Sequence, residues 1–181
     1  MLIDNKVDRY PNDGIDIVTV WDFLKTYSSK DTGETGKMDI VTGYFTIFSL
    51  SKLYEELPEE NYYRIISSEM VGDDYKKDVI VNLLSDDMDI SNIGNLDKHA
   101  RQAIAFLERD NVDMRAEIPD FCHAKAYIFR NGNPTHSNYY VTGSSNLTPA
   151  GIGLKAVPNV ELNIAETCNN SNATILLRTP L

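Results

Sequence analysis

The order of strand-like and helix-like segments constrains the fold of this chain more than any other feature. Between residues 16 and 118, segments with the apolar spacing of a helix alternate with segments rich in β-branched and aromatic residues. From residue 121 onward, strand-like segments follow one another. Alternation favours parallel strands joined by helices, whereas a run of strands favours antiparallel pairs. We therefore expect an α/β fold, an αβα sandwich with a mixed β-sheet.

Each expected element corresponds to a short stretch of sequence. In the first helix, Val18, Trp21, Leu24 and Tyr27 recur at intervals of three residues. Ser49 or Ser51 is the expected cap of the second helix, and Pro58 its expected end. We predict helices over 16–29, 49–60, 73–87 and 95–110, strands over 38–48, 62–70, 112–118, 121–130, 138–146 and 160–166, and a loop or short helix over 146–159.

Length and composition indicate one domain spanning residues 1–181. The final β-rich segment stops without a polar tail, so we expect this domain to be the N-terminal part of a longer protein. No apolar run approaches the roughly 20 residues that a membrane helix needs, and the start lacks a secretory signal. We therefore expect a cytoplasmic location and no membrane partner. Two cysteines indicate no disulfide framework.

Charge is distributed unevenly along the chain. The net charge is −10, which argues against a protein that binds nucleic acid over its whole surface. Residues 1–97 hold nine Lys and Arg against twenty Asp and Glu, whereas residues 98–155 hold seven against five. The second stretch is therefore the only one that is not acidic, and it could hold a phosphate group locally.

Two potential cations interrupt the strand-like segment FCHAKAYIFR. Side chains alternate along a strand, so His123 and Lys125 are expected to share one face. Cys122, Ala124, Ala126 and Ile128 would then take the opposite face and join the core. Two neighbouring cations are costly to bury unless an anion meets them. The segment therefore predicts an anion site.

Polar residues follow in the next two strand-like segments. Gly143 allows close approach of the backbone to a ligand, and Ser144 and Asn146 supply hydrogen-bond donors. Glu161 interrupts an otherwise apolar strand. The stretch GSSNL differs from the Gly-x-Ser-x-Gly elbow of serine hydrolases. The cysteines and histidines lack the paired spacing of zinc ligands.

In this order, His-x-Lys, Gly-Ser-x-Asn and Asn-x-Glu resemble the signature of the phospholipase D superfamily. The likeness covers residues 116–165 and is greatest to the small bacterial nucleases and to related domains fused to helicases. The stretch DIVTGYFT also resembles the opening strand of that fold. The resemblance implies a phospholipase D-like domain. This chain departs from the family pattern at Arg130, where the family often has an aspartate.

The resemblance and the chemistry of phosphodiesters imply the same roles. His123 would be the nucleophile, because a neutral imidazole can attack an anionic diester and form a phosphohistidine. Lys125, Ser144 and Asn146 would hold the phosphate oxygens, and Glu161 would accept a hydrogen bond from His123. No metal or cofactor is expected. The candidate substrate-binding residues are Gly143, Ser145, Thr148 and Tyr44.

A second histidine is needed to protonate the leaving oxygen. The chain holds one His-x-Lys, so a homodimer would bring two copies of His123 together across a two-fold axis. The expected function is thus a metal-independent DNA endonuclease, a phosphodiesterase with DNA and a second copy as partners, within a helicase or restriction protein. The alternative is a non-catalytic module of such a system that binds nucleic acid or protein.

Structural interpretations of the same residues stay open. His123 is a satisfied core histidine in one of them, and Ser144 and Asn146 are turn formers. Glu161 would then pair with Arg115 or Lys155. Outside the motif, His99 is expected on a solvated helix face, with a DNA-tracking role as the alternative, and His136 in an exposed loop. Tyr44 and Phe45 are expected as core aromatics, with base stacking as the alternative.

Overall fold

The computed structural model describes residues 8–9, 19–28, 35–67, 95–116, 123–133, 135–155 and 161–168. Within these ranges the chain forms three helices and seven strands. The helices are α1 (Val20–Ser28), α2 (Ile47–Glu56) and α3 (Leu96–Leu107). The strands are β1 (Asp8–Arg9), β2 (Lys37–Thr42), β3 (Tyr62–Ser67), β4 (Val112–Ala116), β5 (Ala126–Arg130), β6 (Asn138–Gly143) and β7 (Asn163–Cys168).

The strands form one mixed sheet in the order β1-β7-β6-β5-β2-β3-β4. Strands β2, β3 and β4 are parallel, as expected for strands separated by long connections. Strands β5, β6 and β7 are antiparallel to their neighbours. The α/β class and the mixed sheet are therefore confirmed.

The core forms on one face of this sheet. Met38 and Ile40 of β2 lie opposite Tyr63 and Ile65 of β3, and all four side chains are fully or almost fully buried. Buried side chains of α1, α2 and α3 join the same cluster. The second helical layer of the expected sandwich depends on the predicted helix over 73–87, which lies outside the described residues.

The boundary between β2 and α2 corrects the sequence prediction. The predicted strand over 38–48 is wrong beyond Thr42, because α2 already begins at Ile47. Thr46, rather than Ser49 or Ser51, caps this helix, and its side-chain oxygen accepts a hydrogen bond from the Ser49 N–H at 3.2 Å. The helix ends at Glu56, two residues before Pro58.

The start of β5 is a second correction. The strand begins at Ala126, so His123 and Lys125 precede it instead of lying within it. Tyr127 and Phe129 belong to the core cluster, whereas Ala124 is exposed. The expectation that Ala124, Ala126 and Ile128 form the core face is therefore wrong. Ile128 is nevertheless buried, on the face of the sheet opposite the core cluster. Cys122 lies outside the described residues. Likewise β7 begins after Glu161.

The remaining elements agree with the sequence where the structure describes them. Helices α1 and α3 and strands β3, β4 and β6 each lie inside the predicted ranges. The stretch 146–155 consists of turns around a short bridge between Phe45 and Leu147. Among the described helices, none combines the length and the apolar character needed to cross a membrane.

Candidate active site

One edge of the sheet collects most of the predicted site residues. Strands β2 and β6 end at this edge and β5 and β7 begin there, because Val41 pairs with Ala126, Ala126 with Thr142 and Thr142 with Ile164. The chain segments just beyond these four strand ends therefore lie side by side. They carry the predicted catalytic residues, namely His123, Lys125, Ser144, Asn146 and Glu161, and the predicted binding residues Gly143, Ser145, Thr148 and Tyr44.

Lys125 is a buried cation at this edge. Only 6% of the residue is exposed, and its Nζ lies 3.1 Å from Nδ1 of His123 and 2.7 Å from the His123 carbonyl oxygen. The backbone oxygen of Lys125 accepts hydrogen bonds from the Gly143 N–H and the Thr142 hydroxyl. Within the described residues no carboxylate pairs with the ammonium. A buried ammonium that lacks a carboxylate partner in this part of the chain favours the binding of an anionic ligand.

His123 is exposed, so the interpretation of a buried core histidine does not hold. Its ring contacts Lys125 and not Glu161, which differs from the expected arrangement. An ammonium can only donate, so Nδ1 of His123 is the acceptor in this contact. In the neutral ring the proton then lies on Nε2.

Ser144 and Glu161 contact each other across the β6 and β7 ends. The Ser144 hydroxyl donates to Oε2 of Glu161 and accepts from the Leu162 N–H at 3.1 Å. The Ser144 N–H donates to the Leu162 carbonyl oxygen at 3.2 Å. The alternative pairing of Glu161 with Arg115 is not formed, since Arg115 pairs with Asp113 at 2.8 Å. Glu161 therefore holds Ser144 in this structure.

A buried polar layer supports the loop that carries these donors. Asn163, 1% exposed, donates from Nδ2 to the Ser145 hydroxyl at 2.9 Å. The Tyr127 hydroxyl donates to the Ser145 carbonyl oxygen at 3.0 Å. Burial, and secondarily the charge of Glu161, raise the pKa of Tyr127, so its hydroxyl stays protonated and remains a donor. Ser145 thus faces the protein interior, away from a substrate.

Gly143 is required by packing within the sheet. A Cβ at this position would lie 2.2 Å from the Leu162 carbonyl oxygen and 2.7 Å from Cα of Asn163. Both atoms belong to the adjoining backbone, which cannot move as a flexible side chain can. The close approach that the sequence predicted for a ligand is therefore already made by the neighbouring chain segment.

The turn after β2 is joined to the loop after β6. The Thr42 hydroxyl accepts from the Leu147 N–H at 3.0 Å and lies 3.4 Å from Oδ1 of Asn146. The Thr46 N–H donates to the Leu147 carbonyl oxygen at 3.2 Å. Tyr44 lies within this turn and is partly buried, whereas Phe45 is fully buried, as expected of a core aromatic.

Thr148 has a structural role in the following turn. Its hydroxyl accepts from the Gly151 N–H at 3.1 Å, and its carbonyl oxygen accepts from the Ile152 N–H at 2.9 Å. These two bonds close the turn over 148–152. The described contacts of Thr148 therefore shape the loop that contains Asn146.

Arg130 is at the far end of β5, where the family pattern often has an aspartate. Its guanidinium pairs with the buried carboxylate of Asp39 on β2, and Arg64 of β3 pairs with the same carboxylate at 3.0 Å. Asp39 is 4% exposed. Arg130 thus pairs with a buried carboxylate of the neighbouring strand.

The other two histidines lie on α3 and in the loop between β5 and β6. His99 packs between α2 and α3, with Nδ1 2.9 Å from the Ser51 hydroxyl and its ring edge-on to Phe48 at 4.9 Å. His99 is half-buried, so its helix face is solvated only in part. His136 is exposed in the loop between β5 and β6, as expected.

Three supporting residues were not predicted from the sequence, namely Thr42, Tyr127 and Asn163. Thr42 and Asn163 lie at strand ends beside the motif residues, and their hydrogen bonds become visible only through the strand order. One signal was present: the tripeptide Val-Thr-Gly occurs at the end of β6 and also at the end of β2, where its glycine follows the strand. In the part of the chain that the structure describes, no three His, Cys, Asp or Glu side chains gather as metal ligands would.

The fold and this edge define a mixed α/β protein with a buried lysine and a cluster of hydrogen-bond donors at one end of its sheet. No protein-family model matches the chain, and no curated protein sequence matches it.

Proposed function

We propose that this protein is a phosphodiesterase of the phospholipase D type, with a phospholipase D-like fold, and that it cleaves DNA without a metal. The observation that carries the proposal is the buried Lys125 ammonium. It has no carboxylate partner among the described residues and lies at the sheet edge that also presents His123, Ser144 and Asn146. A phosphodiester supplies the missing negative charge.

The first step transfers the phosphoryl group to the protein. Nε2 of His123 attacks phosphorus, the P–N bond forms, and the P–O bond to the leaving alkoxide breaks. The alkoxide takes a proton from His123 of the partner subunit. Lys125 and the amide of Asn146 stabilise the charge on the non-bridging oxygens in the transition state.

The second step restores the free histidine. Water attacks phosphorus and the P–N bond breaks, which leaves a phosphomonoester. His123 of the partner subunit accepts the proton of the attacking water, so the cycle consumes one water and releases one alcohol.

Substrate binding must rearrange the contact between Lys125 and His123. Attack through Nε2 requires the ring proton on Nδ1, where the Lys125 ammonium lies at 3.1 Å in this structure. A bound phosphate competes for the ammonium and releases Nδ1. Glu161, which is held by Ser144 here, is the acceptor that the protonated Nδ1 would then need.

DNA is preferred over a phospholipid surface because of the distribution of charge. A net charge of −10 repels anionic membranes and long duplexes alike, so it disfavours any substrate that must be held over the whole surface. The neutral-to-basic stretch over 98–155 contains His123, Lys125, Ser144 and Asn146, which suits a DNA segment that reaches this one site.

A non-catalytic module that binds a nucleic-acid end or a protein is the second candidate. The contact between Lys125 and His123 favours it, because this contact places the ring proton on the atom that would have to attack. In such a module the cluster binds an anion and no P–O bond breaks.

The two candidates are separated by cleavage of plasmid DNA and of bis(p-nitrophenyl) phosphate in excess EDTA. The phosphodiesterase is supported if wild type and His136→Ala cleave both and His123→Ala cleaves neither. His136 is a matched control because it is an exposed histidine beyond the opposite end of β5. Binding of DNA without turnover by any variant supports the module.

A further inference from the structure

Thr42 is fully buried, and it belongs to none of the three motif segments His-x-Lys, Gly-Ser-x-Asn and Asn-x-Glu. It ends β2, and its oxygen contacts two backbone N–H groups, those of Leu147 at 3.0 Å and Tyr44 at 3.3 Å. The same oxygen lies within hydrogen-bond distance of the Tyr44 carbonyl oxygen and 3.4 Å from Oδ1 of Asn146. One side chain of β2 therefore holds the loop that follows β6.

The direction of these bonds has a chemical consequence. A hydroxyl has two acceptor sites and one proton. The N–H groups of Leu147 and Tyr44 use the acceptor sites. The proton points mainly to the Tyr44 carbonyl oxygen at 2.5 Å, and Oδ1 of Asn146 is a more distant second acceptor at 3.4 Å. Thr42 thus has no acceptor site left for the NH₂ group of Asn146 and can contact that amide only as a donor.

An asparagine amide has an oxygen end and an NH₂ end, and only the NH₂ end can donate to a phosphate oxygen. A donor beside Oδ1 favours the orientation in which Nδ2 points away from Thr42. We infer that Thr42 is a positioning residue, which turns the NH₂ group of Asn146 toward a phosphate oxygen bound at the sheet edge. This inference rests on the proposed anion site and adds a residue from a different strand to it.

The substitution Thr42→Val tests the hydroxyl alone, because valine has nearly the same shape. Thr42→Ser is the matched control, since it keeps the hydroxyl and loses a methyl group. We expect Thr42→Val to weaken the binding of inorganic phosphate about fivefold, the loss of roughly one hydrogen bond. Thr42→Ser should bind phosphate within about twofold of wild type.

A double mutant separates positioning from general support of the fold. In an Asn146→Ala background, Thr42→Val should cause no further loss of phosphate binding, because the group that it orients is absent. An equal loss in both backgrounds, or equal binding by Thr42→Val and wild type, would overturn the inference.

A measurement on wild type covers the case in which Thr42→Val does not fold. Titration with inorganic phosphate should shift the Asn146 side-chain NH₂ signals in a ¹H–¹⁵N spectrum. Unmoved signals at saturating phosphate would also overturn the inference. Failure of the proposed function gives a different pattern, with phosphate bound and the NH₂ signals shifted but no diester cleaved.

Discussion

At the residue scale, the contact between Lys125 and His123 bears most directly on the proposed chemistry. The ammonium occupies the Nδ1 side of the ring at 3.1 Å and is also tied to the His123 carbonyl oxygen at 2.7 Å. These bonds occupy two of the three ammonium protons but bring no negative charge to the cation. In the proposed mechanism, they also keep the imidazole from attacking until a substrate takes the ammonium.

This resting arrangement predicts a definite histidine tautomer. At alkaline pH, where imidazole is neutral, ¹⁵N spectra of wild type should show the His123 proton on Nε2. Inorganic phosphate should move the proton toward Nδ1, because it draws the Lys125 ammonium away. In Lys125→Met the spectrum should no longer respond to phosphate. A proton already on Nδ1 in ligand-free wild type would contradict the resting contact.

Gly143 gives a second prediction at this scale. We expect Gly143→Ala to lower the free energy of unfolding by about 1–3 kcal/mol, because the added Cβ meets backbone atoms of the segment leading into β7. Urea unfolding measures the change. Gly132→Ala is the control, because Gly132 is exposed and does not have a positive φ; it should change stability by less than about 0.5 kcal/mol. Equal stability of the two variants would contradict the crowding at Gly143.

At the element scale, the sequence pattern predicted which segments form helices and strands more accurately than it predicted where those segments begin and end. The β-branched and aromatic composition of β2 continues through Phe48. The strand nevertheless ends at Thr42, because Thr46 caps helix α2 four residues later. The strand-like stretch before Ala126 is not part of β5, since the partner strand β2 continues only one residue beyond Val41, which pairs with Ala126. Strand ends depend on neighbours that lie far away in the sequence.

Helices α1, α2 and α3 are linked by a network of charges. Glu56 of α2 pairs with Lys25 of α1 at 3.0 Å, and Glu55 pairs with Lys98 of α3 at 2.7 Å. Hydrogen bonds from Lys98, Gln102 and Lys52 lower the pKa of Glu55 from 4.5 to about 2. The network therefore depends on the ionised carboxylate.

This lowered pKa predicts how stability depends on pH. Because the folded-state pKa of Glu55 lies below that of the unfolded chain, its contribution is complete above about pH 5 and is lost as the pH falls toward 2. Solvent screening limits it to about 1 kcal/mol or less. Urea unfolding should therefore show Glu55→Gln less stable than wild type at neutral pH, with the difference disappearing near pH 2.

Glu59→Gln is the matched control for this experiment. The Glu59 side chain is 81% exposed, and its only described ion pair is a long one, 3.8 Å to Arg109. Its substitution should have little effect at any pH. A constant gap between Glu55→Gln and wild type across the pH range would show that the carboxylate charge is not what stabilises the helices.

At the scale of the whole molecule, the candidate site could be predicted in part. The order of the motif residues predicted that His123, Lys125, Ser144 and Asn146 would lie together, and the strand order places their segments at one edge. The contacts of Glu161 with Ser144, and of Lys125 with His123, could not be predicted. These contacts depend on the distances between side chains of separate segments, and those distances are set by how the strands pair in the sheet.

The proposed chemistry also requires two copies of the chain. If each active site needs two histidines, specific activity should fall when the protein is diluted below the dissociation constant of the dimer. Sedimentation velocity over the same concentrations should show monomers appearing in parallel. Full activity of a strictly monomeric protein would contradict the requirement for His123 of the partner subunit.

The most direct test of the account is detection of the covalent intermediate. DNA is mixed with the protein in excess EDTA, the reaction is stopped with alkali to preserve a phosphoramidate, and peptides are analysed by mass spectrometry. We predict in wild type a phosphoramidate of His123 that still carries the other end of the cleaved DNA strand, and none in His123→Ala. Cleavage of DNA without such an adduct, or with the adduct on another residue such as Ser144, would contradict the account.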